Sequence, residues 1–258
     1  MCLIVFAYRY HPEYNLILAA NRDEFYARPT RPMQFWPEQD SVLAGQDLEQ
    51  GGTWLGISQT GRFSAITNHR DGRNRENGTL SRGLLPLDFI RSNRTATDFA
   101  AQTQLTQYAG FNQLLGDESG LFYLSNRSDQ QQRIAPGIHG LSNALLNNSW
   151  PKLDSRKQQL QLLLDQGQLD GAQFIELMAD RQTYPQDQLP DTGISMEWEQ
   201  ALSSSFIQMD NYGTRATTVI LQKHNGETEV IEQNYDVTGR TELFSYQFQV
   251  PIIGRDSN

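Results

Sequence analysis

The sequence predicts an α+β fold in which antiparallel sheets stack on one another under a covering of helices. Two observations carry that reading: runs of strand-forming residues recur in pairs across turn signals at the start, middle and end of the chain, and the helical stretches are segregated into two pairs between them. A third fits it: no fixed-period repeat or low-complexity tract runs through the sequence. At 258 residues the chain can bury a substantial core without cross-links, and it is read as one domain spanning 1–258.

The first hairpin joins Cys2 to Tyr8 with Leu16 to Glu24 across the polar stretch Arg9 to Asn15. A turn centred near Pro12 and Glu13 pairs residue 2 with residue 22 or 23, so Cys2 meets the Asn21-Arg22-Asp23-Glu24 run across the ladder. Cys2 is the only cysteine in the chain and follows Met1. A side chain this small lets the cellular aminopeptidase remove Met1. One residue would then carry a thiol, with a pKa of about 8.5, and an α-amine, at about 7.7 to 8.0, partly neutral at pH 7. Asp23 could orient the two. The alternative is a structural cysteine at a strand start, with the charges marking the end of the next strand.

Phe25 to Gln50 holds Pro29, Pro32 and Pro37, a spacing that predicts an irregular excursion carrying Phe35 and Trp36. Its two rings either line a pocket or pin the excursion to the core. A second hairpin runs from Gln50 to Ser58 and from Arg62 to Asn68, turning at Gln59-Thr60-Gly61. Gly51 and Gly52 beside Trp54 permit close backbone approach, for a ligand or for sheet packing. Asn68 to Gly83 reads as an exposed loop. Arg62, Arg70, Arg73, Arg75 and Arg82 gather in or near it, either as an anion site or as a solvated surface.

Leu84 to Arg91 and Thr95 to Tyr108 form the first helical pair. A third hairpin follows, Asn112 to Leu115 with Leu121 to Ser125, and then a short strand at His139 to Asn143. Trp150 to Gln166, with Gly167 as its stop, and Asp170 to Asp180, with Asp170 as N-cap, form the second helical pair. Gln182 to Ser205 reads as a mobile connection with a short helix near Trp198. Strands return at Thr214 to Gln222, Glu229 to Tyr235 and Glu242 to Val250. This order sets Asp23, Asn68, Asn143 and Arg215 at or near strand ends.

The formal charge of -9, from 30 acidic and 21 basic residues, argues against nucleic acid as a partner. No stretch approaches the roughly 20 apolar residues of a transmembrane helix, and the opening run lacks a signal-peptide pattern. A soluble cytoplasmic protein is expected, and one thiol suits a reducing compartment.

Met1-Cys2-Leu3-Ile4, Asn21-Arg22-Asp23-Glu24, Gly51-Gly52-Thr53-Trp54-Leu55-Gly56, Thr67-Asn68, Ser81-Arg82-Gly83, Leu141-Ser142-Asn143 and Tyr212-Gly213-Thr214-Arg215 together resemble the NRDE family, whose animal members are called transport and Golgi organisation proteins. More distantly, the pattern is similar to the cysteine N-terminal-nucleophile hydrolases that include bile salt hydrolase and penicillin V acylase. That resemblance implies a four-layer αββα sandwich and hydrolysis of a non-peptide amide. It also implies Cys2 as nucleophile, Asp23 as the acid beside it, Asn68 and Asn143 as polar groups around the reacting carbonyl, and Arg215 as the late-strand arginine. Asn21, Arg22 and Trp54 are the candidate substrate-binding residues. In one departure, those hydrolases carry arginine immediately before the asparagine matching Asn21, where this chain has Ala20.

On this reading the α-amine of Cys2 takes the thiol proton, the thiolate attacks the carbonyl, and an asparagine amide donates to the oxyanion. Without the resemblance each asparagine reads as a turn cap, and Arg215 as a surface ion pair. The competing class is a binding or transfer protein for a hydrophobic ligand, lipid or haem, which the animal relatives imply. No cofactor or metal is expected, since His11, His69, His139 and His224 are scattered and no haem-attachment motif is present. A small-molecule substrate or a hydrophobic ligand is the expected partner, and the oligomeric state is left open.

Overall fold

The computed structural model describes residues 2–37, 39–74, 78–128 and 131–251, without the side chains of 39 and 40. Thirteen strands among them form two antiparallel sheets. The first sheet contains β1 (Cys2–Tyr8), β2 (Tyr14–Phe25), β10 (Gly137–Leu141), β11 (Tyr212–Lys223), β12 (Glu227–Asp236) and β13 (Gly239–Gln249), in the order β10-β1-β2-β11-β12-β13. The second runs β3 (Thr30–Trp36), β4 (Gln39–Asp47), β5 (Leu55–Ser58), β6 (Phe63–Asn68), β7 (Phe111–Asp117), β8 (Gly120–Ser125) and β9 (Gln132–Arg133) in sequence order.

Alternation along the strands makes the layers. Ile4, Phe6, Leu18 and Ile220 of the first sheet meet Leu43, Ile57, Phe63 and Leu114 of the second in the central core. Leu3, Val5, Ile17 and Val219 face the other way, onto α3 (Pro151–Asp165) and α4 (Gly171–Met178). On the far side, Val42, Phe111, Leu115 and Leu124 pack under α1 (Leu84–Arg91) and α2 (Ala96–Gln102). The four-layer αββα sandwich is therefore the observed arrangement. No helix of the described residues is long and apolar enough to cross a membrane.

The helices begin and end where their signals stand. Thr95 and Asp170 accept hydrogen bonds from the first-turn amides of Asp98 and Ala172, and Gly167 takes a φ of 66° just past α3. The second member of the first pair is shorter than expected. α2 stops at Gln102, and only a single 3₁₀ turn, Leu105–Gln107, follows.

Two expectations are corrected. Phe25 to Gln50 is not irregular: it holds β3 and β4. Proline is tolerated because β3 is an edge strand, and Pro32 sits where its register against β4 shifts between Arg31 and Gln34. The backbone of Met33, inside that irregularity, is satisfied by the opposite sheet: its N–H donates to Glu232 Oε1 at 2.7 Å, and its carbonyl accepts from the Tyr246 hydroxyl at 2.8 Å. Phe35 packs against Tyr246 and Phe248, and Trp36 is buried against the helix layer, so the two rings pin this hairpin to the core. The second correction is 182–205. It carries a 3₁₀ turn at Gln186–Gln188 and α5 (Met196–Ala201), and its end is buried at Leu202 to Ser205 rather than loose.

Glu232 is fully buried, and burial pushes its carboxyl above the ordinary range. Glu232→Leu, which strips the Met33 N–H of its acceptor, is expected to lower unfolding free energy by about 1–3 kcal/mol in a urea titration. Glu232→Gln keeps an acceptor and removes the titration. Because the folded carboxyl holds its proton to higher pH than the unfolded one, wild-type stability falls as pH rises from about 4.5 to the folded midpoint. Paired melts should show Glu232→Gln gaining on wild type across that window.

Candidate active site

Cys2 pairs with Arg22 across β1 and β2, as the length of the first turn predicts. Directly opposed residues share a face, so the thiol and the guanidinium both lie on the side of the second sheet. Asn21 and Asp23, one position either way, face the helix layer. Cys2 therefore stands at a strand end between two environments. Its side chain looks into the sandwich, and the backbone at its amino end lies at the edge of the sheet that carries Asp23.

A cavity of about 160 Å³ opens at this edge, and Cys2, Arg22, Asp23, Asn68, Trp54 and Arg82 are among its lining residues. Trp54 enters because β4 has glycine at 45: a Cβ there would lie 2.3 Å from the indole Cη2. The Arg22 guanidinium stacks on that indole, 4.4 Å from the ring centroid, and reaches Asp47 at 3.7 Å. Arg28 holds the same Asp47 carboxylate at 2.6 Å; partial burial would raise that carboxyl, but Arg28 and the Gln50 and Glu49 amides bring it below its ordinary value. Gly52 crosses Gly83 so closely that a Cβ would lie 2.3 Å from its carbonyl carbon, and the Thr53 N–H donates to the Gly83 carbonyl at 2.8 Å. The paired glycine thus serves packing between loops, and that packing brings Arg82 to the cavity wall. Arg82 donates to the Gly110 carbonyl at 3.0 Å.

Cys2 keeps some exposure, yet loss of water around its sulfur pushes the thiol up, and Asp23 adds to this while Arg22 opposes it. Asp23 is 1% exposed. Thr214, its neighbour across β11, donates to Oδ1 at 2.7 Å, and the Tyr212 hydroxyl donates to the Asp23 carbonyl at 3.0 Å. Burial raises the Asp23 carboxyl, and Lys152, Thr214 and Arg22 pull it back down.

The predicted site residues separate into two groups. Cys2, Arg22, Asp23, Trp54 and Asn68 meet at the cavity. Asn143, two residues beyond β10, is fully buried, and its Nδ2 donates to the Asn68 carbonyl at 3.0 Å, so it holds the end of β6 from behind. The Asn21 amide donates to the Met178 and Ser205 carbonyls at 2.9 and 2.8 Å and accepts from Thr217 at 2.7 Å, which fastens the α4 and α5 segments to the sheet. Arg215 is the extra residue of a bulge between Thr214 and Ala216. Its Nη1 donates to the carbonyls of Phe25, Tyr26 and Arg28 at 3.0 to 3.2 Å, so the guanidinium clamps the exit of β2 and does not lie against the carboxylate of Asp23.

The arginines expected to cluster are instead dispersed. Arg62 donates to the Phe89 and Arg94 carbonyls, Arg70 pairs with Glu199 at 3.0 Å, and Arg73 pairs with Asp191; Arg75 lies outside the described residues. Only Arg82 of this set lines the cavity. Among the described residues, no three His, Cys, Asp or Glu side chains gather as metal ligands would.

Sequence reasoning missed Lys152. It is 3% exposed, and its Nζ donates to the Leu202 carbonyl at 2.8 Å. A signal was present: Lys152 and Arg156 precede Leu160 and Leu164 at intervals of four on the buried stripe of α3, where apolar residues are the rule.

Comparison with known proteins follows the same lines. A solved N-acylethanolamine-hydrolyzing acid amidase ortholog from Caenorhabditis elegans superposes with a TM-score of 0.50, covering 85% of this chain and 92% of its own, at 11% identity; the likeness is one of fold. The mouse Transport and Golgi organization 2 homolog is 34% identical over 96% of this chain and 99% of its own length. The human homolog is 33% identical over 91% and 93%, and the Drosophila melanogaster protein 27% over 90% and 92%. The model of the family described as Transport and Golgi organisation 2 matches residues 1–237, and the chain belongs to that family.

Proposed function

We propose that this protein is a cysteine N-terminal-nucleophile amidohydrolase that cleaves a small, polar N-acyl amide after removal of Met1. The observation that carries the reading is the placement of Cys2: its thiol lines a cavity with Arg22, Trp54 and Asn68, while its amino end adjoins the buried Asp23. The amidase-like fold supports the same reaction class.

In this scheme Asp23, fixed by Thr214, holds the freed α-amine, and the amine takes the thiol proton. The sulfur bonds to the amide carbon, giving an oxyanion that donors at the cavity wall stabilise. Collapse breaks the C–N bond, and the departing nitrogen receives the proton from the α-ammonium. Water then attacks the thioester with the amine as base, releasing a carboxylic acid and restoring the thiol. Arg82 at the cavity wall favours a substrate with negative charge near the scissile bond.

A carrier of lipid or haem is less well supported at this site. Its volume is about 160 Å³, below the ~300–1,000 Å³ typical of pockets that bury a whole drug-sized ligand, and charged groups line it.

Protein expressed from its own start codon is expected to have an intact mass lacking Met1. Incubated with a panel of small N-acyl amides, it should release free amine, with a Cys2 thioester trapped on rapid quenching, and Cys2→Ala should release none. Retention of Met1 together with equal turnover by Cys2→Ala would sink the proposal. Asn68→Ala, which removes a donor at the cavity wall, should cut turnover by ~10²- to 10³-fold with the melting temperature little changed. An unaltered kcat would remove Asn68 from the oxyanion role.

A further inference from the structure

Cys2, Arg22 and Trp54 line two spaces: the cavity of about 160 Å³ at the sheet edge, and a smaller recess of about 10 Å³ with Ile4, Ala20, Leu55 and Ala65 in its wall. Those four residues belong to the central core between the sheets, the layer toward which the Cys2 thiol points. Cys2 therefore stands where the two spaces meet, with charged groups on one side and aliphatic ones on the other.

The strand registers explain why the recess exists. On the first sheet Ile4 pairs with Ala20, the next pair inward from Cys2 and Arg22 on the same face, and Phe6 pairs with Leu18 beyond it. On the facing sheet Leu55 pairs with Ala65, and Ile57 with Phe63 beyond it. The inner pairs carry large side chains that fill the layer. Beside Cys2, positions 20 and 65 carry a single methyl each, on residues that are 7% and 0% exposed.

The size of the recess matches one methyl group, since about 10 Å³ is room for a single water-sized occupant. Water is poorly suited to it, because a buried water needs about two to four polar partners. Thr218, also in the wall, has its hydroxyl bonded to Glu232 at 3.2 Å, and the Asn21 amide turns to the helix layer.

The order of events at a nucleophilic cysteine assigns the two spaces. The amine half of an amide leaves and water enters after it, whereas the acyl half stays bonded to sulfur until the second step. The cavity at the sheet edge, with Arg82 in its wall, suits the half that leaves; the recess behind the thiol suits the half that stays. We infer that the recess is the acyl subsite and that the substrates are N-acetyl amides: the acetyl methyl sits between Ala20 and Ala65, and a polar, anionic amine half occupies the cavity. Ala20 and Ala65 are then specificity-determining residues. The inference rests on Cys2 being the nucleophile and names which amides it cleaves.

The test uses mature protein and p-nitrophenyl acetate, propionate, butyrate and hexanoate, each rate divided by that of the same ester with free cysteine. The sulfur bonds to the acyl carbon, p-nitrophenolate departs, and the thiol proton passes to the α-amine. Intact mass and peptide mapping report the Cys2 thioester, with Cys2→Ala as the blank. Acetylation should be fastest, with each further methylene slowing the reaction by about tenfold or more. Ile4→Val, which frees the room of one methyl, should raise propionate to the rate of acetate or above it. Ala20→Val, which fills the recess, should slow acetylation by about tenfold or more, while reaction with an aryl disulfide, which places no acyl group behind the sulfur, stays unchanged.

Equal normalised rates along the series, or an acetate preference that Ile4→Val leaves unmoved, overturn the inference; that arm decides alone if Ala20→Val does not fold. No acylation of Cys2 by any ester overturns it together with the amidohydrolase reading. Acylation with the expected preference, but no cleavage in the amide panel, supports the acetyl subsite and refutes amide hydrolysis only.

Discussion

The period of two along β2 is the constraint on which the rest of the molecule depends. Because the strand is buried on both faces between β1 and β11, its residues divide strictly between the inter-sheet core and the helix layer. Leu18, Ala20 and Arg22 go one way, and Ile17, Ala19, Asn21 and Asp23 the other. A slip of one residue would exchange the guanidinium for the carboxylate and put each among the wrong partners. The register is secured at both flanks, by seven paired positions with β1 and by the pairing of β11, whose bulge at Arg215 adjusts the ladder beside Asp23.

Charge compensation follows from this division. On the inter-sheet side Arg22 is spent on Trp54 and Asp47, with Arg28 sharing the same carboxylate. On the helix side Asp23 receives the Thr214 hydroxyl, and Arg70 and Glu199 form a buried ion pair of their own. The cavity between the faces is left for Cys2 and the charged groups at its rim.

Much of this was legible in the sequence. The Cys2–Arg22 pairing came from the length of one turn, the strand–helix order from periodicity and caps, and the gathering of Cys2, Asp23 and Asn68 from motif resemblance. What could not be read were contacts made by side chains far apart along the chain. Three prolines hid the β3–β4 hairpin, because an edge strand tolerates what an interior strand would not, and the amide freed at Met33 is capped by Glu232, 199 residues away. Arg215 stood at the right strand end, yet a bulge turned it toward the carbonyls of the β2 exit. Lys152 carried a detectable mark, a base on an apolar stripe, but nothing local tells that its ammonium meets the Leu202 carbonyl.

The tie between Met33 and its two partners has a mechanical consequence. Glu232 lies on β12 and Tyr246 on β13, and both seize one peptide on the outermost strand of the opposing sheet. Stacked sheets joined only by aliphatic contacts can shear past each other at small energetic penalty, since one oily surface fits another in many alignments. Two directional bonds to a single residue remove that freedom along the margin and act like a dowel between boards.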